Sequence, residues 1–252
     1  QQQRIRQPIV SGQFYEEDFE LLVDQIKDCF TNKFGPGEFP LNERSKHVKA
    51  IIVPHAGFMC SGACAAWAYK EMGESEFPDT FIILGTNHQS TTTSTCDLDW
   101  ETPLGVVRSD KEIIQELESE GMLISNRDHQ FEHSIETQLP FLQFVSKDYL
   151  KDLKIVPILV GNNYDDYTEL ITKILKKLEK KVIFIVSGDF THFGSNYSYN
   201  PFNTNIKNNL TALDKSIINP LLKLDTNAFL KEINKTQATV CGKYPIAALI
   251  DI

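Results

Sequence analysis

The chain has 252 residues, 41% hydrophobic and 23% charged, with a formal net charge of -9; this is an ordinary globular balance, long enough to bury a core without disulfides. The acidic excess excludes a nucleic-acid surface, which needs a basic patch, and no apolar run approaches the length of a membrane span. The cysteines (Cys29, Cys60, Cys64, Cys96 and Cys241) are odd in number and irregularly spaced, and no charged-then-apolar leader opens the chain. Together these read as a reduced, cytoplasmic setting.

In chain order, residues 16–30 place Phe19, Leu22, Ile26 and Phe30 at helical spacing, and 31–46 is a Gly/Pro/Asn loop. A strand is expected at 48–53. An alanine-rich helix follows at 61–72 with Ser61 as N-cap, in which Cys60 and Cys64 read as small buried hydrophobes. A second strand covers 81–84. The polar tract 89–96 is a loop or an edge strand, and 100–107 surrounds a turn at Thr102-Pro103-Leu104-Gly105. Asp110 opens a helix to about 120. A helix is expected over 132–144, opened by Glu132-His133-Ser134, with Pro140 kinking or ending it. Then come a strand at 155–160 despite Pro157, an amphipathic helix at 165–180 and a strand at 182–186. A loop at 195–209 is followed by helices at 210–222 (broken near its end by Pro220) and 226–233, and by a helix over 246–252 that looks unfinished. That ending, and the start at Gln1, suggest that native terminal residues are not included. The alternation predicts an α/β fold with a mainly parallel sheet flanked by helices. With no repeat and no linker, residues 1–252 read as one domain.

Three of the six histidines follow apolar runs. Ile51-Ile52-Val53 leads to Pro54-His55, Phe81 to Leu84 leads to Gly85-Thr86-Asn87-His88, and Val182 to Val186 leads to Ser187-Gly188-Asp189-Phe190-Thr191-His192. Buried parallel strands have this composition, and ligands bind beyond their carboxyl ends. The pattern therefore brings imidazoles to one sheet edge, as metal ligands or as a general base. Gly85 reads as the residue that lets the chain turn off its strand, and Asp189 as an imidazole orienter or a ligand. A Ser/His/Asp hydrolase lacks its Gly-x-Ser-x-Gly elbow. His133 reads equally as pocket wall or helix cap, and Glu136 as a cap for the first turn. His47 and His129 read as solvated surface. Cys241 lies beside Lys243, whose charge would favour thiolate; taken alone it reads as a buried inert cysteine.

Taken together, these segments resemble the Memo family, relatives of the class III (LigB-type) extradiol dioxygenases. The likeness rests on Pro54-His55-Ala56-Gly57 with Cys60-Ser61-Gly62, Ile82 to His88, Thr102 to Gly105, and Glu132-His133-Ser134-Ile135-Glu136. It continues through Val156 to Gly161, Ser187 to Gly194 and Cys241-Gly242-Lys243-Tyr244-Pro245-Ile246. The resemblance implies the dioxygenase-like α/β fold. It puts His55, His88 and Cys241 at the metal positions, with Asp189 and His192 lining the same pocket and His192 at the position of the catalytic histidine. The site expected is thus His55, His88 and Cys241 for metal, His192 and Asp189 for catalysis, and His133 and Lys243 as surrounding pocket residues. Where the dioxygenases use two histidines and a glutamate for Fe(II), Cys241 replaces the glutamate, and a softer thiolate favours Cu(I) or alters Fe(II). Thr86-Asn87, Gln89 and Phe193 depart from the usual family residues and are expected to soften the pocket's supporting shell. Three functions follow from the resemblance. One is an iron- or copper-binding redox or metal-handling protein, linked in animals to motility signalling. Another is an adaptor for a phosphotyrosine peptide or signalling protein, with Lys243 and Arg108 as local cations. The third is a working Fe(II) dioxygenase using Asp189.

Overall fold

The computed structural model describes residues 5–252. Strands β1 (Ile5–Arg6), β2 (Ala50–Val53), β3 (Thr80–Thr86), β4 (Ser94–Thr95), β5 (Asp99–Thr102), β6 (Gly105–Ser109), β7 (Leu123–Ile124), β8 (Lys154–Val160) and β9 (Val182–Ser187) form one sheet. Its path runs β1-β5-β6-β8-β3-β9-β2, with β4 joining β8 to β7. The central pairs β6/β8, β8/β3, β3/β9 and β9/β2 are parallel, whereas β5/β6 and β4/β8 are antiparallel. The expected α/β architecture with a mainly parallel sheet is present.

Alternation along the central strands divides the core into two layers, because successive side chains leave a strand on opposite faces. Phe81, Ile83, Ile183 and Ile185 pack against helices α1 (Phe19–Thr31), α2 (Phe58–Gly73) and α5 (Leu139–Val145). Ile82, Leu84, Phe184 and Val186 face the helices α3 (Lys111–Ser119), α6 (Thr168–Leu178), α7 (Ile206–Leu222), α8 (Thr226–Thr236) and α9 (Lys243–Asp251). Helix α4 (Asn126–Phe131) is short and was not anticipated, like β1 and β7. Pro157 is tolerated in β8 because it falls between the stretches paired with β6 and with β4, where the ladder requires no N–H.

Several local expectations are corrected. Helix α2 begins at Phe58, capped by Gly57 and not by Ser61, because the Phe58 N–H already donates to the Phe14 carbonyl at 2.7 Å. Cys60 and Cys64 are exposed on that helix. The stretch 132–135 is not helical. The Glu132 carboxylate accepts the N–H groups of His133 and Ser134, each at 2.9 Å, and this local bonding competes with a helix start. Pro140 sits in the first turn of α5, a favourable position for it. His129, read as surface, is completely buried; burial lowers its pKa to about 4, so it stays neutral and Nε2 donates to the Ser94 carbonyl.

Glu136 is an internal anchor and not a cap. It pairs with Arg6, and both side chains are fully buried. Its carboxylate also accepts the N–H groups of Ile9 and Val10 and the Tyr15 hydroxyl at 2.8 Å. The Arg6 guanidinium lies 4.5 Å from the Trp100 ring centre and donates to the carbonyls of His129 and Glu132. A buried pair is costly to break from one side because the remaining charge is stranded. Glu136→Leu is therefore expected to lower unfolding stability by about 3–5 kcal/mol in urea titration. Arg6→Met combined with Glu136→Leu is expected to recover part of that loss.

Candidate metal centre

The parallel register aligns the strand ends. Ser187 of β9 is level with Val53 of β2 on one side and Gly85 of β3 on the other. His55 and Asp189 each lie two residues beyond that row and His88 three, so the chain delivers them to the same carboxyl edge. Cys241 arrives from the loop before α9. Two close backbone approaches make this possible. A Cβ on Gly188 would lie 2.5 Å from the Cα of Gly242, so the two loops cross in direct contact. A Cβ on Gly85 would lie 2.7 Å from both Ser134 Oγ and Ile135 Cγ1. Gly85 thus remains within β3 and admits the 132–135 loop; it is not there to turn the chain off the strand.

Two overlapping donor sets result, one of His55, His88 and His133, the other of His55, Asp189 and Cys241; within each, the ligand atoms lie within 4.8 Å of one another. The ring centres of His55 are 5.3 Å from His88 and 5.2 Å from His133. Cys241 Sγ is 3.4 Å from His55 Nε2 and accepts the Asp189 N–H at 3.2 Å. Asp189 holds the His55 N–H through Oδ1 at 2.9 Å, and its Oδ2 lies 3.7 Å from His55 Nε2 and 3.6 Å from His192 Nε2. His55 is buried, while the side chains of His88 and His133 keep 34% and 26% of their surface exposed, so the pocket is open to solvent.

Neighbouring acceptors set the orientation of the imidazoles. His88 Nδ1 donates to Glu132 Oε1 at 2.9 Å, and His192 Nδ1 to the Thr239 carbonyl at 2.8 Å. His55 Nδ1 lies 3.1 Å from Ser187 Oγ. That hydroxyl gives its only proton to the Ser134 carbonyl and accepts from Gln138 Nε2 at 2.9 Å, so the His55 Nδ1 must be the donor. In all three rings Nε2 is the nitrogen left to face the pocket, the arrangement that metal-binding histidines adopt.

The charges are strongly coupled. Burial disfavours a Cys241 thiolate, but hydrogen bonding with His55 and His88 outweighs it and lowers the pKa to about 6. His88 is raised to about 10 by Cys241 and then by Glu132, and His192 to about 9, chiefly by Asp189. Burial lowers His133 to about 4. Glu132 is lowered to about 2; burial opposes this, but His88 and backbone N–H groups outweigh it.

The Memo-like protein family profile matches residues 6–252. The chain belongs to the Memo family. It is 35% identical to a MEMO1 family protein of Methanobrevibacter smithii over 96% of this chain and 85% of that protein. A MEMO1 family protein of Pyrococcus abyssi is 35% identical (97% and 86% covered), and one of Pyrococcus furiosus 34% (94% and 83%).

Of the candidate site residues, His55, His88, His133, Asp189, His192 and Cys241 meet at one edge. Lys243 does not turn its charge inward, because its ammonium lies 4.8 Å from the Tyr244 ring centre. Arg108 is at the opposite edge of the sheet, level with Lys154 at the start of β8, and donates to the Lys151 carbonyl. Thr86, a departure from the usual Memo residue, ties the strand end to the Ser187 carbonyl at 3.0 Å and the Cys241 carbonyl at 3.4 Å, so it braces the shell it was expected to soften. Sequence reasoning missed Glu132, Gln138, Ser187 and Thr239 as supports. Glu132 and Ser187 stood inside the quoted motifs, which was the available signal.

For metal-free protein, carboxymethylation of Cys241 is expected to rise with pH about a midpoint near 6, when followed by peptide-resolved mass spectrometry. A midpoint at the ordinary thiol value, about 8.5, would contradict the imidazole–thiolate pairing.

Proposed function

We propose that this Memo family chain is a cytoplasmic metal-binding protein of redox type, holding iron(II) or copper through His55, His88 and Cys241. One observation carries the reading: His55, His88 and His192 each spend Nδ1–H on a fixed acceptor and present Nε2 to a common opening that also holds a thiol of lowered pKa. Neutral imidazole and thiolate suit iron and copper, the thiolate being the softer donor. All five cysteines are free, which agrees with a reduced compartment, and no described helix is long and apolar enough to cross a membrane.

Bound iron or copper would supply Lewis acidity and one-electron chemistry. Around it, Glu132 keeps the His88 ring in place, and Ser187 with Gln138 does the same for His55. Asp189 holds a proton on His192 Nε2, next to the opening, where it can be given to or taken from a bound molecule. A phosphotyrosine partner gains little from this pocket, where the imidazoliums of His88 and His192 are already offset by the Cys241 thiolate and the carboxylates of Glu132 and Asp189, and the nearby lysine is turned onto Tyr244.

Metal analysis after purification without chelator, and iron(II) and copper(I) titration, test the assignment. His55→Ala, His88→Ala and Cys241→Ser are each expected to reduce bound metal. Glu132→Gln, which removes the charged acceptor behind His88, is expected to weaken affinity about 10–100-fold. Unchanged iron and copper binding in all three ligand variants would overturn the reading.

The nearness of Asp189 Oδ2 to His55 Nε2 favours a second reading, an Fe(II) ring-cleaving dioxygenase whose carboxylate is Asp189. Oxygen uptake on a catechol panel with Fe(II), abolished in Asp189→Asn, is its expected signature; silence across the panel counts against it.

A further inference from the structure

We propose that His133 is a third imidazole ligand, added to the His55, His88 and Cys241 set and giving the centre a three-histidine face for a borderline divalent ion; this rests on the reading of the pocket as a metal site. The sequence pattern left His133 as pocket wall or helix cap. The cap is excluded, because residues 132–135 form a loop and the 3₁₀ turn Glu136–Gln138 that leads into α5 is preceded by Ile135 and has no side-chain cap.

The pocket-wall role understates its geometry. A His133 ring nitrogen lies within 4.8 Å of ligand atoms of both His55 and His88. His88 and His133 stack almost parallel, with ring centres 4.9 Å apart and an 11° interplanar angle. Both turn Nδ1 toward the same oxygen, Glu132 Oε1, at 2.9 Å for His88 and 3.4 Å for His133. One buried carboxylate thus sets two rings side by side, and the same oxygen fixes the His133 backbone N–H at 2.9 Å. Phe14 closes the outer side of His133 with its ring centre 5.0 Å away. A wall residue would need neither this backbone anchor on Glu132 nor a ring aligned with that of a ligand.

The consequence concerns which ions bind. Three imidazoles suit borderline divalent ions such as iron(II), cobalt(II), zinc(II) and copper(II), whereas thiolates select softer ones. The Cys241 thiolate hydrogen-bonds both His55 and His88 and so stands against the nitrogen set as a softer donor, while Asp189 reaches the set through His55.

Cobalt(II) titrated into the full chain tests this by proton NMR. Each histidine bound through Nε2 keeps an exchangeable Nδ1–H, which appears as a separate hyperfine-shifted resonance. The wild type is expected to show at least three such resonances. His133→Ala is expected to lose one and to weaken cobalt(II) binding at least tenfold. His133→Gln, which keeps the bulk of the side chain if the alanine variant unfolds, is expected to lose the same resonance. Two resonances in the wild type, or a full set surviving in the His133 variants, would overturn the inference and leave the metal reading standing. No shifted resonance, with cobalt(II) binding indifferent to His55→Ala, would overturn both.

Discussion

A carboxylate buried beneath the pocket organises this edge of the molecule. Glu132 is fully buried, and an ionised carboxylate in that position must have its oxygens satisfied. Four donors do so: the His88 N–H and Nδ1 and the N–H groups of His133 and Ser134. Two of these lie beyond β3 and two lie on a loop far away in the chain. Solvating one charge therefore requires the two loops to meet, and their meeting aligns two imidazoles. A second buried carboxylate stands behind the first. Glu136 is paired with Arg6, which also grips the Glu132 carbonyl. Hence the loop carrying His133 is fixed at both ends by charge.

Strand register supplies coarse placement and small residues the fine placement. Parallel pairing at Val53, Ser187 and Gly85 brings the ends of three strands level. Register alone would leave the Cys241 loop and the 132–135 loop a side chain's thickness away. The absent side chains at Gly188 and Gly242, and at Gly85, remove that thickness. Hydrogen bonds between His192 and Thr239 then clip the segment leading into Cys241 to the segment after β9. The cysteine is held by backbone on both sides and is not left to find the pocket on a free loop.

These layers differ in how far the sequence reveals them. Buried parallel strands are contiguous apolar runs, so β2, β3, β8 and β9 were legible, and so were the histidines beyond β2, β3 and β9. The amphipathic helices were legible too, with ends shifted by a few residues. What escaped were polar residues whose partners are distant in sequence. Glu132 and Glu136 read as helix openers because a local motif is the simplest use of an acidic residue, whereas their partners include His88 and Arg6, 44 and 130 residues away. His129 sits among polar neighbours in sequence yet is enclosed in space. Cys60 and Cys64 misled in the opposite sense: thiols are commonly buried, but these fall on the outer face of α2.

Metal-free, the pocket supplies its own counter-charges. The thiolate of Cys241 is sustained by imidazoles, and His88 holds its proton because the thiolate and Glu132 surround it. A cation entering the nitrogen set must displace a proton from His88 Nε2, since His88 Nδ1–H is committed to Glu132. Binding would therefore release a proton and weaken as pH falls. The displaced positive charge is replaced by that of the ion, so the thiolate keeps a cationic neighbour in either state. His192, held protonated by Asp189 on the far side of His55, is spared that exchange. The same edge thus separates a group that must lose its proton for an ion to bind from one that can keep a proton available beside it.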